Sequence, residues 1–515
     1  MKFSITLLFV LAVACAAEAG NFFRVTPYVQ HPATNAMTLS WFMQEPCDGK
    51  VSWREAGAAT PAGSATTKPE RMDDLAYFNY TNYPSPYLPL TIPFRHRVRL
   101  TGLKPGTRYD YRVECGGKTY ANSFRTAPQG DAPIRFICYS DSETEPESTG
   151  ARVAWEDPSG KDAKRRYFID QTTGYASNIV HILRRNPDLI MISGDLAEKG
   201  SKQVDWDEFW RHNAGALNDP AGSIPILAAP GNHDYHAYNE DCGERGMRKY
   251  LSYFEFEPND AEVAPDQRQR FHRLDYGPAT FLFLDLNNGP DGDAELDTNL
   301  YMNGDACRAP HFTEGSAQWN WLETQLADAR GKSRFIFVFS HQCPYSVGYH
   351  GRVNGEKGTE AYGEELSGTA ARILVPLLLK YGATAWICGH DEIMERSEVA
   401  GKMICDDGSE RDHVLQVYDV GFSGDGLRGR QRTTNPNPFE KFRVHTDSKE
   451  VWKDGLLVDG GKHYGHLEVN IATNAQGVWE ASFTPAYVFV STNAQGQAVG
   501  FDRRVYDDEF RVPQK

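Results

Sequence analysis

Five apolar runs in this 515-residue chain end on side chains that bind metals or move protons. Asp141 closes "IRFICYSD", Asp195 closes "PDLIMISGD", and Asn232 with His233 closes "IPILAAPGNH". His341 closes "RFIFVFSH" and His390 closes "TAWICGH", where Asp391 and Glu392 follow at once. Carboxylate, carboxamide oxygen and imidazole together make the ligand set of a mixed N/O dinuclear metal site. Any one of these residues alone could cap a helix or sit satisfied in a core. Five at the same position relative to a strand point to one shared site, because ligands of open α/β sheets bind beyond the carboxyl ends of the strands.

The elements that must position them alternate along the chain. The five runs and "ATFLFLDL" are near-continuous apolar strands, the pattern of strands buried on both faces. Helical stretches separate them. "SAQWNWLETQLADAR" places Trp319, Leu322 and Leu326 on one face behind Ser316 as a cap. "GTAARILVPLLLKYG" reads as a helix that Pro376 should kink. Strands return after residue 412 in "DHVLQVYDVG", "GHLEVNIAT" and "WEASFTPAYVFV". Residues 131–515 therefore read as an α/β layered domain with C-terminal strands.

Residues 22–127 differ. "AMTLSWFM" alternates, a turn "QEPCDG" and "KVSWRE" follow, and "HRVRLTGLKPGTRYDYRVECGGKTYANSFRTAP" holds three more strand-like runs between Gly and Pro turns. Short strands at this spacing predict a β-sandwich, and "APQGDAPIR" links it to the second domain. Two long polar insertions, at 142–166 and 287–310, read as surface loops. The second is acidic but lacks the spacing of a calcium loop.

A net charge of −15 repels nucleic acid duplexes and anionic lipid. Residues 1–19, "MKFSITLLFVLAVACAAEA", form a positive end, an apolar run and an A-x-A site, the pattern of an export signal. Cleavage after Ala19 predicts a secreted or periplasmic protein, and Cys15 after "LAVA" offers a lipoprotein reading. No later stretch is apolar enough to span a bilayer. Of the nine cysteines, eight lie beyond the signal and none forms a C-x-x-C pair, which argues against a cysteine zinc site. Cys138 and Cys388 lie in apolar runs and read as core residues. The pairing of Cys242, Cys307, Cys343 and Cys405 stays open.

"YSD", "SGDLAE", "PGNHD", "VFSH" and "CGHDE" resemble, in order, the five signatures of the binuclear metallophosphoesterases. "VFSHQCPY", "HRLDYGPATFLFLDL", "AQWNWLETQL" and "HDEIMER" are similar to the purple acid phosphatase branch. "L-x-P-G-T-x-Y-x-Y-x-V" resembles fibronectin type III domains, which that branch carries in front. The resemblance implies a calcineurin-like four-layer α/β domain behind a fibronectin III-like sandwich, in which Cys47 and Cys115 share one end and pair.

It also implies roles. Asp195 would bridge two metals, Asn232, His341 and His390 would complete the second, and Asp141 would bind the first. His233 would contact the phosphoryl group and protonate the leaving oxygen, helped by His350. The chain departs from the family at Glu143, Glu198 and Glu392, which stand where a Gly or His, the colour-giving Tyr and a His are usual. Glu143 and Glu392 are expected to ligate the first metal, and Glu198 is left outside that set. An oxygen-only first site suits Mg, Ca or Mn, with Fe as an alternative, and the second site suits Zn or Mn. Without the tyrosinate no charge-transfer colour is expected.

Two divalent ions about 3.5–4 Å apart would activate a bridging water for attack on phosphorus. The implied function is hydrolysis of small phosphate monoesters outside the cytoplasm. The alternatives are a phosphodiesterase or nucleotide pyrophosphatase on the same site, or an exported binding protein that has lost a metal.

Overall fold

The computed structural model describes residues 21–78, 88–150, 169–236, 241, 243–289, 295–302, 309–353, 366–405, 407–425, 437–444 and 447–514. The expected signal with Cys15, Cys242, Cys307 and most of the 142–166 insertion lie outside the described residues. Among the described residues no helix is long and apolar enough to cross a membrane.

The N-terminal domain is a sandwich of two four-stranded antiparallel sheets. Its strands are β1 (Phe23–Gln30), β2 (Ala36–Met43), β3 (Gly49–Glu55), β4 (Gly63–Thr67), β5 (Glu70–Arg71), β6 (Phe94–Thr101), β7 (Arg108–Cys115) and β8 (Lys118–Arg125). One sheet runs β1-β2-β6-β5 and the other β4-β3-β7-β8. Met37, Leu39, Trp41 and Met43 of β2 share the sandwich core with Val51, Tyr109, Val113 and Phe124. The alternation of β2 suggested one solvated face, yet every residue of the strand is buried. The reason is the second domain. Phe42 packs on Tyr253 (4.9 Å) and Tyr28 on Trp210 (4.5 Å).

Polar contacts close the same seam. Tyr28 donates to the Tyr253 carbonyl (2.6 Å), Arg24 faces Asp207 (3.6 Å), and buried Lys249 donates to the carbonyls of Asp74 (2.8 Å) and Ala76 (3.1 Å). Each large aromatic buried there contributes roughly 1.5–3 kcal/mol. The two domains are therefore packed together rather than strung on a linker.

The second domain continues with β9 (Ile134–Tyr139), β10 (Leu189–Ile192), β11 (Ile226–Ala228), β12 (His272–Tyr276), β13 (Ala279–Phe283), β14 (Phe335–Phe339), β15 (Ala385–Cys388), β16 (Met394–Ile404), β17 (Glu410–Val420) and β18 (Glu440–Val444). Then come β19 (Asp447–Lys453), β20 (Leu456–Lys462), β21 (Gly465–Thr473), β22 (Trp479–Thr492), β23 (Ala498–Val505) and β24 (Phe510–Pro513). One sheet runs β11-β10-β9-β21-β22-β23, with β24 paired to β22, and the other β12-β13-β14-β15-β17-β16-β18. The β9–β10–β11 and β13–β14–β15–β17 neighbours are parallel. Their carboxyl ends open on one side.

The sheets meet face to face. Phe136 touches Phe281 (5.0 Å) and Phe337 (5.1 Å), and Tyr418 stacks on Phe483 (5.2 Å). The helices are α1 (Gln171–Arg185), α2 (Gln203–Asn213), α3 (Glu244–Tyr253), α4 (Ala317–Lys332) and α5 (Val375–Lys380). Tyr139 alternates outward to meet Tyr175 of α1, while Leu322 and Leu326 of α4 pack with Leu282, Ile336 and Val338 on the far side of the other sheet. Four layers result, helix, sheet, sheet, helix.

Several expectations need correction. Ser316 does cap α4, accepting from the Trp319 N–H (3.2 Å). Pro376 does not kink a long helix. A 3₁₀ turn spans Gly368–Leu374 and α5 starts afresh, with the proline in its first turn, where its missing N–H costs nothing. In the second insertion Asn287, Asn288, Asp297, Thr298 and Asn299 are buried rather than solvated, because they brace the loop beyond β13. Cys47 and Cys115 come together at one end of the sandwich as expected, but as free thiols with His96 beside them rather than as a disulfide. Cys138 and Cys388 are fully buried.

Candidate metal centre

The loops that follow the strands lock to one another before any ion is considered. Ser142 N–H donates to the Asp195 carbonyl (3.0 Å) and His233 N–H to Asp195 Oδ1 (2.8 Å). His390 N–H donates to both oxygens of Asp141 (3.0 and 3.2 Å). These close approaches need glycine beside them. A Cβ on Gly231 would stand 2.1 Å from Asp195 Oδ1, and one on Gly389 would stand 2.4 Å from Asp141 Oδ2.

Asp141 (φ 54°), Asp195 (52°), His390 (85°) and Glu392 (50°) all hold left-handed backbone. For non-glycine residues this costs on the order of 1–3 kcal/mol each and persists only where the surroundings enforce it. Four such residues lie together in the loops beyond the strand ends.

Two sets of donor atoms converge, each within 4.8 Å: Asp195, His341 and His390, and Glu143, Asp195 and His233. Asp195 belongs to both. His341 Nδ1 donates to the Ser193 carbonyl (2.9 Å), which fixes its tautomer. Its Nε2, which without a proton or a metal would be a second acceptor, lies 2.9 Å from Asp195 Oδ2. Two acceptors so close need a cation between them. Burial lowers the basicity of His341, but Asp195 outweighs it and carries the group up to about 9. A proton or a metal ion would answer the same demand.

The neighbouring acids repeat that demand. Burial, and then Asp195, push Asp141 up to about 7 against the pull of His341. Burial, with Asp195 and Asp141, pushes Glu143 well above the carboxylate range. Carboxylates crowded in low dielectric recover their charge only beside cations. The donor set thus fits divalent metal.

His390 Nε2 donates to the Leu366 carbonyl (2.8 Å), which leaves the lone pair on Nδ1. His350 is no surface residue. Its ring stacks on His390 (3.7 Å between centroids) and its Nδ1 donates to the same carbonyl (2.8 Å). His233 Nδ1 donates to the Glu198 carbonyl (2.8 Å). Glu198 itself lies 2.7 Å from Lys199 and 3.6 Å from His233. Burial would raise it, but those two neighbours draw it down to about 2. Asn232 is buried between Gly231 and His233, and buried Glu392 follows beside Asp141 and Gly421. Asp141, Asn232 and Glu392 line the pocket outside the two tight sets.

Sequence reasoning missed the residues that hold this arrangement. Asp234 accepts from the N–H groups of Leu196 (3.1 Å), Ala197 (3.4 Å) and Gly231 (2.9 Å), so one carboxylate ties two loops. Asp391 accepts from the His350 N–H (3.0 Å) and fills the space beside Gly348. Gln342 donates to Asn287 (2.7 Å), which donates to the Pro230 carbonyl (3.0 Å). The available signal was an acid placed directly after a ligand, in "GNHD" and "GHDE".

A β-sandwich thus precedes an αββα domain that gathers N/O donors at its strand ends. Residues 169–393 match the family described as calcineurin-like phosphoesterase, and residues 23–126 match the purple acid phosphatase N-terminal domain. The chain carries both of these domains, in that order.

An uncharacterised protein of Mycobacterium tuberculosis is 26% identical over 310 residues, which is 59% of this chain and 50% of that protein. An acid phosphatase of Aspergillus ficuum is 23% identical over 383 residues, 59% of this chain and 60% of that protein. The chain spans about half the length of the first of these relatives. The structure of purple acid phosphatase PPD1 from yellow lupin (Lupinus luteus) seeds shares the fold, with TM-score 0.58 and 16% identity over 95% of this chain and 74% of that one.

Proposed function

We propose that this protein hydrolyses small phosphate monoesters outside the cytoplasm, in the manner of an acid phosphatase. The observation that carries the reading is the approach of His341 Nε2 to Asp195 Oδ2 at 2.9 Å, amid buried acids that need cations.

Asp141, Glu143, Asp195 and Glu392 would hold a first ion, and Asp195, Asn232, His341 and His390 a second. When bound, such a pair supplies Lewis-acid stabilisation of phosphoryl charge and a nucleophile at neutral pH. An oxygen-rich first set favours Mg, Ca or Mn, and the imidazoles of the second favour Zn or Mn.

This chain's own side chains do the rest. The Nδ1–H of His233 is anchored on the Glu198 carbonyl, so Nε2 is the atom that delivers a proton to the leaving oxygen. Glu198, beside the same ring, favours its charged form. His350, stacked on His390, presents a second imidazole to the substrate. Asp234 and Asp391 hold the loops that carry these rings, so that little reorganisation is left for the reaction.

The test is turnover of a panel of monoesters, diesters and nucleotides by metal-loaded protein, with elemental analysis alongside. Monoesters should turn over fastest. Preference for diesters would replace the reading with a phosphodiesterase, and no turnover with any of Mn, Zn, Mg or Ca would leave a binding protein.

A further inference from the structure

A second group of metal-binding side chains lies in the N-terminal sandwich, apart from the catalytic pocket. Cys47 precedes β3 and Cys115 ends β7, in one sheet, while His96 sits on β6 of the facing sheet. One donor atom from each lies within 4.8 Å of the others. Cys115 Sγ stands 3.6 Å from His96 Nε2. Zinc bonds of about 2.3 Å to sulfur and about 2.0–2.1 Å to nitrogen, at a tetrahedral angle, set those two ligand atoms roughly 3.5–3.6 Å apart. The separation is that of two ligands sharing an ion.

The ring is already aimed. His96 stacks on Trp41 with centroids 4.9 Å apart and planes 3° from parallel. Its Nε2 is the nitrogen that faces Cys115 Sγ, 3.6 Å away. Burial holds His96 down at about 4, against Asp48, and a neutral imidazole is the ligating form. Burial, and then the Cys47 thiol, push Cys115 up to about 12. Such a thiol ionises only if a cation stabilises its thiolate.

We propose that Cys47, His96 and Cys115 form a third metal site, which takes a thiophilic ion, zinc, and pins the two sheets of the sandwich together at one end. Thiolate and imidazole donors select this ion over the hard cations that oxygen ligands attract. Each cysteine gives up one proton on binding. Cys115 and His96 are buried and Cys47 is half-buried, which leaves the fourth position to water.

The experiment uses full-length, metal-loaded protein with zinc, and with cobalt as a spectroscopic stand-in. A thiolate-to-cobalt charge-transfer band is expected. It should vanish in Cys47→Ser and Cys115→Ser and persist in His341→Ala. Cys47→Ser should also lose one zinc per chain while phosphoester turnover stays unchanged. If buried Cys115→Ser does not fold, half-buried Cys47→Ser decides alone. A band untouched by Cys47→Ser, or a Cys47–Cys115 disulfide in peptides mapped without reduction, would overturn the site.

Discussion

At the scale of single residues the pocket separates groups that touch substrate from groups that hold them. His233→Ala should lower kcat by about 10²–10⁴-fold, the usual worth of a positioned proton donor. The deficit should shrink across a series of increasingly acidic leaving groups, which need less protonation. A constant deficit along the series would remove the general-acid role. Asp391 acts differently, through the His350 N–H and the tight approach at Gly348. Asp391→Ala should leave metal content intact and reduce kcat by roughly 10-fold through a loosened loop. The double variant with His350→Ala should be no worse than His350→Ala alone, because residues that act as a unit are not additive. Additive losses in that cycle would show that Asp391 works by another route.

Among elements, Glu468 on β21 clamps three others. It accepts a bidentate pair from Arg185 of α1 (2.6 and 2.8 Å) and lies 3.4 Å from Arg135 of β9 and 3.2 Å from Arg503 of β23. Burial would raise its pKa, but the arginines, Arg185 foremost, bring it down to about 2. A carboxylate lowered in the folded state adds stability above its unfolded pKa and loses it as pH falls towards the folded value. The clamp should therefore fail between about pH 4.5 and pH 2. Glu468→Gln should cost about 1.5–3 kcal/mol at neutral pH and flatten the acid limb of a pH–stability curve. An unchanged acid limb would refute the clamp.

The strands themselves were readable, because β9, β10 and β14 are largely apolar on both faces and lead within three residues to Asp141, Asp195 and His341. Their neighbours were not. Nothing local in "GHLEVNIAT" says that it pairs with β9. Nor does any spacing unite Cys47, His96 and Cys115, since cross-sheet proximity is set by tertiary packing. Asp391 was given no role from the sequence because its partner, the His350 N–H, lies 41 positions away.

On the scale of the whole molecule, the sandwich and the αββα domain share one buried seam. Tyr28, Phe42, Trp210 and Tyr253 meet there, and Arg24 and Lys249 are buried beside them. Phe42→Ala should cost about 3–5 kcal/mol and lower a single thermal transition. Calorimetry that resolves two independent transitions in the parent protein would contradict that coupling.

The pairing of β9 with β21 has a consequence for how the chain is made. Cys138 lies opposite Leu467, and Glu468 opposite Ile137, so the middle of the first sheet stays half-paired until the last tenth of the polypeptide has left the ribosome. Contacts so distant in sequence slow folding and leave strand edges exposed meanwhile. Nascent chains stalled before residue 465 should therefore remain protease-sensitive throughout the αββα domain. Closure of the first sheet is expected only after synthesis is complete, and until then the open edge of β9 is exposed for a chaperone to cover.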